Sequence, residues 1–384
     1  MSKFLLTSLL TVMLLTGYAQ NALETRFVGE RTIVVRDGIV LDFKTCLAEQ
    51  LKAHPSLQAE DVQELCERAA YGPGRVSASA AKQQFMEEYK SLPVEDLRAE
   101  PPIFEIISPD FMRIDLRAWK ASQMPAEWLF NMYLASIKDF EDSNDVWSKN
   151  VEEALEVLDG ERKYNFVKRH LSSIYHPRQA KSFLPPSYRL VVSTRFLHAL
   201  PVLVRCAALA DTETVKVIAI DGRSASGKTT LAKQLAQILS ADVVQMDDFF
   251  LPLALRTEKR YQEAGGNVHY ERFAEEVLPH LRQPGPFSYR QFDCSTMGYG
   301  ESKRLQGSSW RIVEGAYSLH PKFGDYADLK IFYDISPEEQ MRRITLRNGK
   351  EKAEVFRNRW IPLEENYINQ TDVISRADLV LGRR

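Results

Sequence analysis

The sequence has little cysteine, and its cysteines are far apart. Cys46, Cys66, Cys206 and Cys294 form no C-x-x-C pair in a chain of 384 residues. This spacing excludes the usual zinc-binding patterns and argues against a disulfide framework. We therefore expect reduced thiols that serve as packing residues.

The chain also lacks an excess of charge of one sign. It has 50 Lys and Arg residues against 52 Asp and Glu residues, a formal net charge of -2. A general nucleic-acid-binding protein usually has a basic face and a high pI, so this balance argues against that class. The hydrophobic fraction of 44% is ordinary for a globular protein, and the length suffices for two domains.

Residues from about 30 to 208 have the pattern of a mainly α-helical domain of unknown role. Apolar residues three and four positions apart predict helices that begin near Phe43, Gln58, Ser79, Ala126 and Trp147. The stretch 103–116 predicts a short β-hairpin around Ser108-Pro109-Asp110. No nucleophile motif or ligand spacing occurs there, and we interpret its histidines as packing or surface residues: His54, His170, His176 and His198.

Residues 212–384 alternate short apolar runs with helical segments. The apolar runs lie at 215–220, 241–246, 310–315, 329–335 and 377–382. Such near-continuous apolar strands are typical of a parallel sheet covered by helices on both faces. The fold class predicted for the chain is therefore α/β, with a mainly helical domain preceding a parallel sheet flanked by helices.

Residues 222–229 match the phosphate-binding pattern G-x-x-x-x-G-K-[ST], between a predicted strand and a predicted helix. In this P-loop, backbone N–H groups wrap the phosphates, Lys228 reaches the outer phosphates, and the Thr229 hydroxyl contacts Mg²⁺. The positive end of the following helix favours the same anion. The predicted nucleotide-binding residues are Gly222, Arg223, Ser224, Ala225, Ser226, Gly227, Lys228, Thr229 and Thr230.

Carboxylates follow two of the predicted strands. Asp247 and Asp248 come after the run 241–246, which we expect to be a buried strand beside the one that enters the P-loop. A carboxylate there can accept a proton from an acceptor hydroxyl or hold the metal through water, whereas Asp248 can also be a helix cap. Glu314 ends another buried strand, where Mg²⁺ is a natural partner together with Thr229 and Asp248.

Arginines recur after the fourth predicted strand, on helical segments broken at Asn348-Gly349. One interpretation is a solvated helix face. The other is a mobile lid whose arginines stabilise the transferred phosphoryl group. The residues concerned are Arg342, Arg343, Arg347, Arg357 and Arg359.

Residues 215–384 resemble the uridine kinase branch of P-loop kinases, near phosphoribulokinase and bacterial pantothenate kinase. The matching segments are "DGRSASGKTT", "MDDFF", "GGNVHYERF", "YRQFDCST", "VEGAYSLHP" and "RRITLRNG". The resemblance implies that Asp247 activates an acceptor hydroxyl, that Arg347 belongs to the lid, and that ATP and Mg²⁺ are used. It also places Tyr289 and Asp293 in the acceptor-pocket segment.

Two departures from that family concern the acceptor. Uridine kinases usually carry Asp-His-Pro after an asparagine where this chain has Asn267-Val268-His269, and an Arg-Asp pair where it has Arg347-Asn348. His269 either binds substrate or opens the next helix. A nucleoside acceptor is the leading hypothesis. The alternatives are a pantothenate-like or sugar acceptor, and a nucleotide-sensing adaptor without turnover, although an acceptor base and a lid favour an enzyme.

Residues 1–22 have the pattern of a leader. Lys3, the apolar stretch from Phe4 to Leu15 and the small-x-small sequence Gly17-Tyr18-Ala19 are typical of a secretory signal. The stretch is too short for a comfortable membrane span. Because a protein that consumes nucleoside triphosphate belongs where that nucleotide is abundant, we predict a cytoplasmic location, with export as the alternative.

Replacing Lys228 with alanine should abolish phosphoryl transfer, since it removes the positive charge that contacts the outer phosphates. The fold should survive the change. ADP release, measured beside the circular dichroism spectrum, checks both expectations. A folded Lys228→Ala variant that kept most of its ADP production would contradict the P-loop assignment.

Overall fold

The computed structural model describes residues 23–28, 31–36, 39–73, 78–93, 103–137, 144–172, 188–210, 213–293 and 295–382. The chain divides into two compact units, Met1–Ala207 and Ala208–Arg384. The leader-like residues 1–22, together with His176 and Cys294, lie outside the described residues. Within the described ranges, no helix is both long and apolar enough to cross a membrane.

The first unit is rich in helices, several of which pack on one apolar core. The described helices are Phe43–Ala53 (α1), Ala59–Tyr71 (α2), Ala78–Lys90 (α3), Leu116–Ala121 (α4), Ala126–Ala135 (α5), Asn144–Val157 (α6), Gly160–Ser172 (α7) and Leu200–Ala207 (α8). The Asp42 side chain accepts the backbone N–H of Thr45 at 2.8 Å and so caps α1. The buried core includes Leu47 of α1, Val62 and Leu65 of α2, Ala154 of α6 and Phe166 of α7.

The first unit also contains two antiparallel sheets. Their strands are Leu23–Val28 (β1), Arg31–Arg36 (β2), Ile39–Val40 (β3), Phe104–Ile106 (β4), Phe111–Asp115 (β5) and Arg189–Ser193 (β6), in the orders β1-β2-β3 and β4-β5-β6. The predicted hairpin is confirmed, with Phe104 opposite Ile114. The sequence analysis did not predict the third strand of that sheet, because β6 follows a proline-containing segment in a region interpreted as helical.

The second unit is built on a five-stranded parallel sheet. Its strands are Lys216–Gly222 (β7), Asp242–Gln245 (β8), Trp310–Glu314 (β11), Leu329–Tyr333 (β12) and Leu379–Leu381 (β13), in the order β13-β12-β7-β11-β8. All five predicted strands are confirmed. The strands Phe287–Asp293 (β9) and Gly298–Leu305 (β10) form a separate antiparallel pair.

Helices follow the strands of this sheet. They are Lys228–Leu239 (α9), Glu258–Gln262 (α10), Tyr270–Glu276 (α11), Leu278–Leu281 (α12), Pro337–Asn348 (α13), Lys350–Val355 (α14) and Ile361–Thr371 (α15). Short 3₁₀ segments lie at Thr194–Ala199, Met246–Phe249, Leu253–Leu255 and Pro321–Phe323, and a π-helical turn lies at Phe356–Trp360. The predicted α/β class, a parallel sheet with flanking helices, is thus confirmed.

The expectation that β8 lies beside β7 was wrong. β11 lies between them and pairs in parallel with both strands. Every residue of β11 is buried, as an interior strand requires, whereas Asp242, Val243 and Gln245 of β8 are partly exposed. A strand with partly exposed residues is suited to the edge, so β8 takes the outer position.

A chain that begins at Ala208 should fold by itself and still bind ATP. The second unit has its own apolar core, including Val217, Val244, Phe273, Val313 and Phe332, and it contains every phosphate-directed motif. Calorimetric titration with MgATP checks this against the full-length chain. A folded, soluble truncation without affinity for ATP would show that residues before Ala208 complete the nucleotide site.

Candidate nucleotide and phosphoryl-transfer site

The P-loop connects the central strand β7 to α9 through a backbone that only certain residues can adopt. Gly222 has φ 144° and Gly227 has φ 113°, both in the region that favours glycine. A Cβ at Gly222 would lie 2.2 Å from the carbonyl oxygen of Tyr333, on the neighbouring strand β12. The glycine therefore allows the loop to leave the sheet close to β12.

Lys228 folds back over the loop that precedes it. Its Nζ donates hydrogen bonds to the carbonyl oxygens of Gly222 at 2.9 Å and Arg223 at 2.7 Å. The side chain is buried, being only 8% exposed. An ammonium group has three donors, so two bonds hold it against the loop and one donor is left for a phosphate oxygen.

Thr229 and Glu314 meet at the carboxyl edge of the sheet. The Thr229 hydroxyl donates to Glu314 Oε2 at 3.1 Å, and Gln245 Nε2 lies 3.5 Å from Glu314 Oε1. Burial raises the pKa of Glu314, and the nearby charge of Asp247 adds to this effect, whereas Lys228 opposes it. A further cation beside Glu314 would stabilise the ionised form of this buried carboxylate, which lies near the negative charge of Asp247.

A hydroxyl and a carboxylate are the oxygen ligands that Mg²⁺ prefers, so this pair fits the ion. Within the described ranges, no group of three or more His, Cys, Asp and Glu side chains is arranged to hold a metal by itself. Mg²⁺ commonly binds through one or two protein oxygens together with substrate phosphates and water. The metal roles of Thr229, Glu314 and Asp248 remain predictions, and this geometry supports the first two.

The two adjacent aspartates have different surroundings. Asp248 is buried, and its carboxylate accepts the Tyr289 hydroxyl at 2.8 Å and the Gln291 side-chain N–H at 3.2 Å. Asp247 is exposed at the edge of the sheet. Nearby protein atoms partly desolvate its carboxylate and raise its pKa; the charge of Asp248 adds to this effect, whereas Lys228 and Arg347 oppose it. Asp247 is thus the aspartate open to a substrate, and Asp248 is the one tied to β9.

The predicted acceptor-side residues all have local structural contacts. Tyr289 is buried and donates to Asp248, and its pKa is raised by burial. Asp293 accepts the backbone N–H of Ser295 at 2.7 Å and so closes the turn after β9. His269 caps α11 by accepting the backbone N–H of Arg272 at 3.3 Å. A substrate-binding role for these three residues remains a prediction.

The arginine-rich segment breaks where the sequence predicts. α13 ends at Asn348, Gly349 has φ 81°, and α14 begins at Lys350. Arg347 is exposed in the last turn of α13, and its charge lowers the pKa of Asp247. The guanidinium is therefore within electrostatic reach of the candidate base, as a lid residue would be.

Part of the chain is similar in sequence to proteins that are already known. No protein-family model matches the chain. It is 28% identical over 144 residues to a cytidylate kinase from Pyrobaculum arsenaticum, a match that covers 37% of this chain and 65% of that protein. A cytidylate kinase from Pyrobaculum islandicum is 27% identical over 178 residues, covering 43% and 82% of the two chains. The chain is similar to P-loop kinases.

A solved structure of a possible uridine kinase from Bacillus stearothermophilus is 23% identical and covers 47% of this chain and 96% of that one. The TM-score of this match is 0.37. The chain spans 65% of the length of the first cytidylate kinase.

The structure adds site residues that motif reasoning missed. Arg343 of α13 donates to the P-loop carbonyl oxygen of Ser226 at 3.0 Å, and Glu339 orients it at 2.6 Å. Arg223 is paired with the buried Asp334 at 2.6 Å. The position of Asp334 directly after the apolar strand β12 could have indicated a buried carboxylate that needs a basic partner such as Arg223. The arginine pattern gave no reason to prefer Arg343 over its neighbours.

Replacing Asp247 with asparagine should lower turnover by about 10²–10⁴-fold, because the amide keeps the shape but cannot accept a proton. ATP affinity should change little. Since the pKa of Asp247 is raised, turnover in the unaltered protein should fall with decreasing pH at a value above the ordinary 3.8 of an aspartate, where the base becomes protonated. Turnover-against-pH profiles at saturating ATP check both points.

Asp248→Asn is the matched control for that prediction. An asparagine there can still accept one of the bonds from β9, so turnover should fall less and the acidic limb of the profile should remain. If Asp248→Asn proved the more damaging change, the base would have been assigned to the wrong aspartate.

Proposed function

We propose that the second unit is an ATP- and Mg²⁺-dependent kinase that transfers the γ-phosphate to a hydroxyl of a small molecule, with a nucleoside as the leading acceptor. The proposal is supported by the arrangement of side chains at the carboxyl edge of the sheet. An exposed carboxylate with a raised pKa, Asp247, shares an edge of the sheet with the P-loop lysine and with the Thr229–Glu314 pair. A protein that only senses nucleotide has no use for an acceptor base.

Different residues of the chain bind ATP, stabilise charge and accept the proton in the proposed reaction. The loop N–H groups and Lys228 hold the phosphates of ATP, and Arg347 approaches from α13 to counter the charge that develops on the γ-phosphoryl group. Mg²⁺, held by Thr229 and Glu314, would neutralise phosphate charge and keep the γ-phosphoryl group oriented. Asp247 takes the proton of the acceptor hydroxyl as the new O–P bond forms and the bond to ADP breaks.

A phosphate acceptor is the second candidate, because the similar proteins named above are cytidylate kinases. One feature favours it. Lys303 of β10 is half-buried with its Nζ 3.1 Å from Gln245 Oε1, and it interacts electrostatically with Asp248 and Glu314. A cation at that position could contact an anionic acceptor. A monophosphate, however, presents an ionised oxygen that needs no base, whereas Asp247 suits a hydroxyl.

The acceptor is identified by ADP release from the full-length protein with nucleosides, nucleoside monophosphates, pantothenate and sugars, each with MgATP. We expect turnover with a nucleoside and its loss in Asp247→Asn. Turnover with monophosphates that survives Asp247→Asn and is lost in Lys303→Met would establish the second candidate. ATP binding without ADP release in any mixture would favour the adaptor hypothesis.

A further inference from the structure

A buried carboxylate joins the P-loop to two helices. Glu364 of α15 is 5% exposed. Its Oε2 accepts the backbone N–H of Ser224 at 3.0 Å and the side-chain N–H of Gln340 at 3.2 Å. Its Oε1 pairs with the Ser224 hydroxyl. One side chain therefore connects the loop, α13 and α15.

The residue after it makes a second connection. Glu365 forms an ion pair with Arg223, the neighbour of Ser224 in the loop. Two consecutive glutamates of α15 thus contact two consecutive residues of the P-loop. Two contacts, Ser224 with Glu364 and Arg223 with Glu365, fix the direction of the loop relative to α15. A single contact would leave the loop free to rotate about it.

The loop needs this support because of the residue that follows. Ala225 has φ 61°, in the left-handed region that residues with a Cβ rarely adopt. Such a conformation persists only where the surrounding contacts impose it. Glu364 holds both the N–H and the hydroxyl of Ser224, directly before Ala225. These bonds constrain the directions in which the loop's remaining N–H groups point.

The bonds from Ser224 and Gln340 need hydrogen-bond acceptors on residue 364. Burial raises the pKa of Glu364, whereas Lys228 and the bonds from Ser224 lower it. An amide oxygen could accept the same two N–H groups that Oε2 accepts, and an amide N–H could replace the bond to the Ser224 hydroxyl. Glutamine at this position would therefore preserve the arrangement without the charge.

We propose that Glu364 is a positioning residue that fixes the P-loop for ATP and links the shape of the loop to α13. It acts through Ser224 and needs no contact with the nucleotide. The role rests on the ATP site of the proposed function but is independent of the acceptor and of turnover.

Equilibrium titration calorimetry of the full-length protein with MgATP tests this role. Glu364→Ala removes three bonds to one carboxylate and should weaken ATP binding by about tenfold or more. Glu364→Gln should restore affinity to within about threefold of the unaltered protein, because it keeps the bonds. Asn369→Ala, at an exposed position of the same helix, is the control and should change nothing.

Gln340→Met keeps the side-chain volume but removes the bond from α13. It should weaken ATP binding less than Glu364→Ala does, and its effect should disappear in the Glu364→Ala background, as a double-mutant cycle would show. If Glu364→Ala does not fold, Gln340→Met and Glu364→Gln still carry the test.

Equal ATP affinity of the unaltered protein and of folded Glu364→Ala or Gln340→Met would overturn the role. Glu364→Gln as weak as Glu364→Ala would also overturn it, because charge would then be the requirement. Failure of the unaltered protein to bind ATP is a different result: it would overturn the proposed function itself, and this role with it.

Discussion

The nucleotide site depends on one buried carboxylate at the end of the central strand. Asp221 accepts the backbone N–H groups of Gly222 at 2.7 Å, Tyr317 at 3.0 Å and Leu319 at 2.9 Å, and the Tyr367 hydroxyl at 2.8 Å. Burial raises its pKa, and these donors oppose that effect. The bonds tie β7 to the segment after β11 and to α15, so the P-loop begins from a fixed point.

From that point, acidic side chains accumulate around a single lysine. Asp221, Asp247, Glu314 and Glu364 each have a pKa raised by burial, and Lys228 opposes the shift at all four. Phosphates that bind to the loop bring more negative charge into the same region. A further cation would stabilise the ionised carboxylates when nucleotide binds, and the hydroxyl and carboxylate oxygens of Thr229 and Glu314 suit a divalent ion.

The first unit also contains a buried carboxylate, that of Glu105, which is neutralised by basic side chains of the same unit. Glu105 of β4 is 5% exposed, and its carboxylate lies 2.9 Å from Arg113, 3.4 Å from Arg189 and 2.7 Å from His54. Burial alone would raise the pKa of Glu105, but the two guanidinium groups lower it overall. Cross-strand pairing sets the cluster, since Glu105 lies opposite Arg113 in the sheet. The unit thus stabilises its buried charge with its own residues.

The features that the amino-acid sequence predicted correctly are local ones. Apolar patterns predicted the five strands of the parallel sheet, the hairpin of β4 and β5, and several of the helices. The spacing of Gly222, Gly227, Lys228 and Thr229 predicted the loop between β7 and α9. These patterns arise from neighbouring residues. Tertiary structure decided the rest. Residues distant in the chain meet where β11 lies between β7 and β8, where Tyr289 bonds to Asp248, and where Ser224 bonds to Glu364. Such pairings follow from which faces can be buried together, and no local pattern records them.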